Sequence, residues 1–95
     1  MIAYKEHFTK KGNVLAACDY ELLNKLITQG DVELFLSNSF YGDEKATVSE
    51  FTALLKKHDN INLVGNKVVD IAIEQGKVKT FNEVNGIKFA IVFKI

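Results

Sequence analysis

In "NLVGNKVVD", residues 62 to 70, a glycine closes a short apolar run and a helical pattern begins immediately after it. A helix starting there leaves the backbone amides of Asn66, Lys67 and Val68 without intrahelical partners, and its dipole favours negative charge at that end. With Lys67 adding a cation, the segment is a candidate site for a phosphate or carboxylate. The competing reading is that Asn66 or Asn62 caps the helix and Gly65 only permits the turn. No GxGxxG or GK[ST] pattern surrounds the glycine to make a phosphate loop.

A second candidate is "SFYGD", residues 39 to 43, where two large aromatics stand in a stretch of loop composition. One of them has to anchor the loop in the core. Plain anchoring of the loop is the favoured reading; if one ring is presented instead, Tyr41, with its hydroxyl handle, is the one placed to stack on a base or enter a partner's pocket beside Gly42. Asp43, Glu44 and Glu50 make the neighbourhood acidic, which argues against single-stranded nucleic acid lying over it.

Cys18 falls where a strand gives way to a helical pattern, with His7 on the neighbouring strand as a base and Asp19 to orient it. Against a nucleophile, "LAAC" reads as a buried strand of small residues, and free Cys is among the most buried residue types. A core thiol is the expected role. Two His and one Cys without His-x-x-x-His, Cys-x-x-Cys or EF-hand spacing offer no metal set, and no cofactor motif is present. His58 ends a helix, where a cationic imidazole suits the dipole.

The elements that position these residues follow from periodicity. "IAYKEHF" and "VLAAC", separated by "KKGN", predict a β-hairpin over residues 2 to 18. Asp19 then offers an N-cap, and Leu22, Leu23, Leu26 and Ile27 share one helical face up to Gly30, which predicts a helix over 20 to 29. "VELFLS" alternates as a third strand before the loop "NSFYGDEKA". Thr47 and Glu50 form a capping box for a second helix to Lys57, "INLV" is a fourth strand, and Gly65-Asn66 opens a third helix that Gly76 ends. "KTFNEV" and "IKFAIVFKI" close the chain as a hairpin around Asn85-Gly86, the favoured pair for a type I′ turn. In its last strand Ile87, Phe89, Ile91, Phe93 and Ile95 face one way, and Lys88, Ala90, Val92 and Lys94 the other.

The order is ββαβαβαββ: one α+β domain over residues 1–95, α/β-like in its alternation, with a mixed β-sheet covered by three helices and a C-terminal β-hairpin. Parallel strands that precede helices would gather Cys18-Asp19, Phe40 to Asp43 and Asn62 to Gly65 at one sheet edge, where such folds bind ligands. Lys77, Lys79, Lys88 and Lys94 lie near the closing hairpin. They form either a modest basic strip or a guard that keeps an apolar edge strand from pairing, and without that guard the hairpin becomes a dimer seam.

Composition narrows the classes further. The 95 residues are 47 % hydrophobic and 25 % charged, the balance of a globular domain with room for one core. Twelve Lys and no Arg balance 12 acidic residues, so nothing global attracts nucleic acid or an anionic membrane. The missing guanidinium fork disfavours sequence-specific DNA reading and Arg-clamped phosphoryl transfer. One cysteine, no leader pattern and no bilayer-length apolar run lead to an expected cytoplasmic location, without membrane attachment.

With these stretches in hand, the chain resembles the DUF424 family of small uncharacterised archaeal proteins. "ACDYELLNK" matches a pattern Cys-Asp-x-Glu-Leu-Leu-Gly-Lys, "FYG" follows the third strand, and "NLVGNKVVDIAIEQGKV" resembles the family's Asn-Leu-Val-Gly helix block. The resemblance picks out Cys18, Asp19, Glu21, Lys25, Phe40, Tyr41, Gly42, Asn62 and Gly65. Asn24 stands where the pattern has Gly, and Lys88-Phe89 where it has Pro-His. The resemblance implies the archaeal cytosol and company with translation genes, and it carries no activity.

Two functional readings come out of the sequence. In the first, the protein is a non-catalytic binding module for a protein or ribonucleoprotein partner, using Tyr41, Gly42, Asn62 and Gly65, as a monomer or a small homo-oligomer joined through the C-terminal hairpin. In the second, it is a small ligand-binding protein or enzyme holding an anionic metabolite at Gly65, Asn66 and Lys67, with Asp19 and Lys25 nearby. The absence of a readable nucleophile–base pair or phosphate loop favours the first.

Overall fold

A computed structural model of the chain describes residues 1–42 and 44–94. Asp43 and Ile95, both named above, lie outside the described residues. Strand β1 (Ile2–Thr9) turns tightly into β2 (Gly12–Asp19), the antiparallel hairpin that the alternation predicts. β2 pairs in parallel with β6 (Asn60–Val64), and β6 pairs antiparallel with β8 (Ile87–Val92). Two short strands complete the sheet, β5 (Glu44–Ala46) beside β1 and β7 (Asn82–Val84) beside β8, in the order β5-β1-β2-β6-β8-β7. A separate two-stranded ribbon is made by β3 (Leu26–Gln29) and β4 (Val32–Phe35). The helices are α1 (Asn38–Tyr41), α2 (Val48–Lys57) and α3 (Asn66–Glu74). A mixed sheet with three helices and a C-terminal hairpin is therefore the fold.

Side chains alternate along strands, so the sheet carries two cores. On one side Ile2, Leu15, Ile61 and Leu63 meet Phe51, Leu54 and Leu55 of α2 and Val68, Val69 and Ala72 of α3. On the other, Ala3, Ala16, Cys18 and Val64 meet Ile27, Leu36 and Tyr41 from the ribbon and α1. The helix α2 starts at the expected capping box: Thr47 Oγ1 accepts from the Glu50 amide, and Glu50 Oε1 from the Thr47 amide. At the closing hairpin Asn85 and Gly86 have φ of 50° and 77°, the pair of positive angles that a type I′ turn requires.

The element order departs from expectation between residues 20 and 46. In place of a helix over 20 to 29 there is one 3-10 turn, Tyr20–Leu22, followed by β3. The segment is short enough to satisfy either periodicity. Gly30-Asp31 then acts as a two-residue hairpin connection, with Gln29 opposite Val32, and tips the choice toward strands. Asn24 reinforces this: it sits at φ 65°, the left-handed region that ends helical winding, at the position where the resembled pattern has Gly. Its Oδ1 also accepts the Asn38 amide at 3.1 Å, which ties the turn to α1. The stretch read as a single loop from Asn38 contains both α1 and β5.

Candidate functional site

The parallel pairing of β2 and β6 sets Cys18 beside Val64, so two of the expected junctions meet at one sheet edge. What occupies the start of α3 there is the chain's own carboxylate. Asp19 is buried; its Oδ2 accepts the Lys67 amide at 3.1 Å and its Oδ1 the Val68 amide at 3.0 Å. The anion expected from outside is thus supplied from within, which corrects the reading of Asn66 and Lys67 as an open anion site. Neither Asn66 nor Asn62 caps the helix. Asn66 instead bridges to the closing hairpin, accepting the Lys88 amide at Oδ1 (2.8 Å) and donating from Nδ2 to the Gly86 carbonyl (3.3 Å).

Gly65 is what lets Asp19 come so close. Its φ of 132° lies where L side chains rarely go, and a Cβ added there would stand 2.5 Å from Asp19 Oδ1 and 2.7 Å from Oδ2. Burial raises the Asp19 carboxyl above its ordinary pKa, while the two amides and the Lys67 charge pull it back. Folding therefore favours the protonated form of this group, so its contribution to stability is largest in acid and falls as pH rises through its raised pKa. Lys25 does not join this centre. Its backbone is held by Leu22 and Leu36, and among the described residues its ammonium has no hydrogen-bond or ion-pair partner.

The aromatic pair is placed in the reverse of the expected sense. Tyr41 is the core anchor, 5 % exposed, donating its hydroxyl to Asn62 Oδ1 at 2.9 Å. Burial first, and then the neighbouring Cys18, push its pKa up to about 12. Phe40 is the presented ring, stacked on His7 with centroids 4.6 Å apart, while His7 Nε2 lies 2.8 Å from the Phe40 carbonyl oxygen. The physical reason is α1: a single helical turn sends adjacent residues in different directions, and the inward one finds Asn62 as partner for its hydroxyl. Gly42 is buried at the end of α1, where an added Cβ would come within 2.9 Å of Ala3 Cβ.

Cys18 is a core thiol, as its surroundings in the sequence suggest. It is fully buried, and burial, with Asp19 and Glu21 adding to it, pushes its pKa up to about 12. His7 pairs with Val14 while Cys18 pairs with Ala3, four residues along β1, or about 13 Å at strand rise. No dyad forms between them. His58 is buried with Nε2 2.6 Å from Glu6 Oε2, so the Glu6 carboxylate on β1, distant in sequence, accounts for its place beyond the helix dipole. Among the described residues no group of three or more His, Cys, Asp or Glu could hold a metal ion. Among the described residues no helix is long and apolar enough to cross a membrane.

Two further surfaces stand out among the described residues. One is a cleft of about 170 Å³ between Tyr20, Leu23, Asn38, Gly42, Glu44 and Lys45, with the Lys45 ammonium 4.4 Å over the Tyr20 ring. It is smaller than the ~300–1,000 Å³ of most small-molecule sites. The other is the uncovered part of the sheet on the ribbon side. There β3, β4 and α1 cover the row Ala3, Cys18, Val64 and Phe89. The next row, Ala16, Asn62 and Ile91, is covered at Ala16 and by the Tyr41 hydroxyl at Asn62, and it is open at Ile91, which is 62 % exposed. Phe93, next in the same alternation, is 70 % exposed, and Phe40 adds its ring over His7. The strand alternation carried this signal in its set Ile87, Phe89, Ile91 and Phe93. It could not show that the cover stops at Phe89.

The family model described as "Protein of unknown function (DUF424)" matches residues 6–95. A crystal structure of an uncharacterised conserved protein from Methanopyrus kandleri is similar with a TM-score of 0.78 at 19 % identity, over 96 % of this chain and 89 % of that one. Among curated proteins none matches. The likeness to the Methanopyrus protein is one of fold, and the match along nearly the whole sequence shows that the chain belongs to the DUF424 family.

Proposed function

We propose that this protein is a non-catalytic binding module that uses the uncovered part of its sheet to contact a protein, or the protein part of an RNA–protein assembly such as the translation machinery. The observation that carries the reading is the set of exposed apolar residues on one sheet side, Phe40, Ile91 and Phe93, beside a core that is already closed. Aromatic and aliphatic side chains left in water at a polar-rimmed patch are what a partner's hot spot uses. The second reading, an anionic metabolite at α3, is disfavoured by Asp19, because its carboxylate already accepts the two amides such a ligand would need.

The test is sedimentation of the protein with ribosomal particles from its own cells, wild type against an Ile91→Ser, Phe93→Ser double variant. Wild type is expected to travel with the particles, and the variant to remain at the top of the gradient with its fold intact. Wild type remaining free, or both proteins travelling equally, contradicts the assignment. Exposed positions such as these should tolerate serine at little cost in stability.

A further inference from the structure

We infer that β8 pairs edge to edge with β8 of a second copy, joining two six-stranded sheets across a two-fold axis at Val92. The direction of each peptide group along β8 is set by its neighbours. Lys88 receives the Gly65 amide on its carbonyl and donates its own to Asn66, and Lys94 donates to Asn60 Oδ1 at 2.6 Å. The even-numbered residues therefore turn their backbone toward β6, and the odd-numbered ones turn theirs away. On that outer side β7 pairs with Ile87 to Phe89 and ends at Asn82. Among the described residues no strand or loop amide pairs with Ile91 or Phe93 on that side. The result is an apolar edge, "AIVF", in which the hydrogen-bonding groups of Ile91 and Phe93 are directed outward.

The occupant that fits this edge is the same edge. In an antiparallel register centred on Val92, Ile91 stands opposite Phe93 of the second copy, and Phe93 opposite its Ile91. Both are hydrogen-bonded positions, and each makes the aromatic-to-branched cross-strand contact that stabilises sheets. Lys94 falls opposite Ala90, so no like charges face one another. A register centred on Ile91 would instead set Lys94 against Lys88 and bring Phe93 to Phe89, where Asn82 already sits. Lys88 is engaged within its own chain, 2.7 Å from Asp70 Oδ1 and over the Phe81 ring. With a formal net charge of zero, two copies meet without overall repulsion. The contact is isologous and closed, and it sets two uncovered sheet faces side by side.

This inference needs no partner for the sheet face, so it is tested on the pure chain by sedimentation equilibrium across a wide concentration range. The mass is expected to rise from that of the 10.7 kDa monomer to twice that value. Phe93→Pro removes an outward amide that β6 does not use, and should abolish the dimer, while Phe93→Thr, which keeps the amide, should weaken the dimer without abolishing it. Should the proline variant fail to fold, hydrogen exchange of wild type decides: the Ile91 and Phe93 amides should become protected as concentration rises. A monomer at every concentration, a proline variant as dimeric as wild type, or a dimer in which those amides exchange freely would overturn it.

Discussion

Gly65→Ala should destabilise the protein by about 2–4 kcal/mol, as strain at a glycine-only backbone angle adds to the loss of a helix cap. The new Cβ would stand 2.5 Å from Asp19 Oδ1, so either the backbone shifts or the carboxylate leaves the Lys67 and Val68 amides. Urea unfolding measures the loss as a fall in midpoint with little change in slope. Asp19→Ala should also destabilise, by losing the cap. In the double variant the overlap is gone, so its loss should be less than the sum of the two singles. A Gly65→Ala protein with the wild-type midpoint would mean that the approach of Asp19 to α3 is not what holds this end of the sheet.

Tyr41→Ala should cost about 3–5 kcal/mol, the range for truncating a buried aromatic. The ring fills the core between Ala3, Cys18 and Val64, and its hydroxyl satisfies Asn62. Tyr41→Phe separates the two contributions: it keeps the packing and removes the hydrogen bond, for about 1 kcal/mol. Near-native stability of Tyr41→Ala would show that the ring is presented outward, with Phe40 as the anchor. The complementary change, Phe40→Ala, should cost much less, because that ring lies over His7 at the surface.

The parts of the fold that could be read from the sequence are those where a few adjacent residues decide the outcome. Thr47 with Glu50, and Asn85 with Gly86, act through bonds and angles within one turn, and both behave as their types dictate. Cys18 as a core thiol was legible for a similar reason, since the small residues before it leave room only for a buried strand. Residues 20 to 29 were not. Leu22, Leu23, Leu26 and Ile27 satisfy a helical and an extended pattern alike, and it is a left-handed Asn24 and the ribbon partner β4 that choose between them.

The candidate site depended on contacts that no local window contains. Asp19 caps a helix whose first amides are 48 and 49 residues away, so it read as the cap of the segment immediately after it. Phe40 and Tyr41 differ only in a hydroxyl, and the partner that draws Tyr41 inward, Asn62, is 21 residues on. The uncovered face at Ile91 and Phe93 lies outside the cluster that β3, β4 and α1 build on this side of the sheet, which is a property of the assembled layers and of no single strand.

Asp19 closes the start of α3, and the proposed binding surface is the uncovered sheet face instead. The most direct measurement is an amide NMR titration of the labelled protein with inorganic phosphate and nucleotides at moderate salt. The Lys67 and Val68 resonances should stay in place through the titration, because Asp19 already holds both amides. Saturable shifts centred on Gly65, Lys67 and Val68 would contradict it and make α3 a ligand site after all.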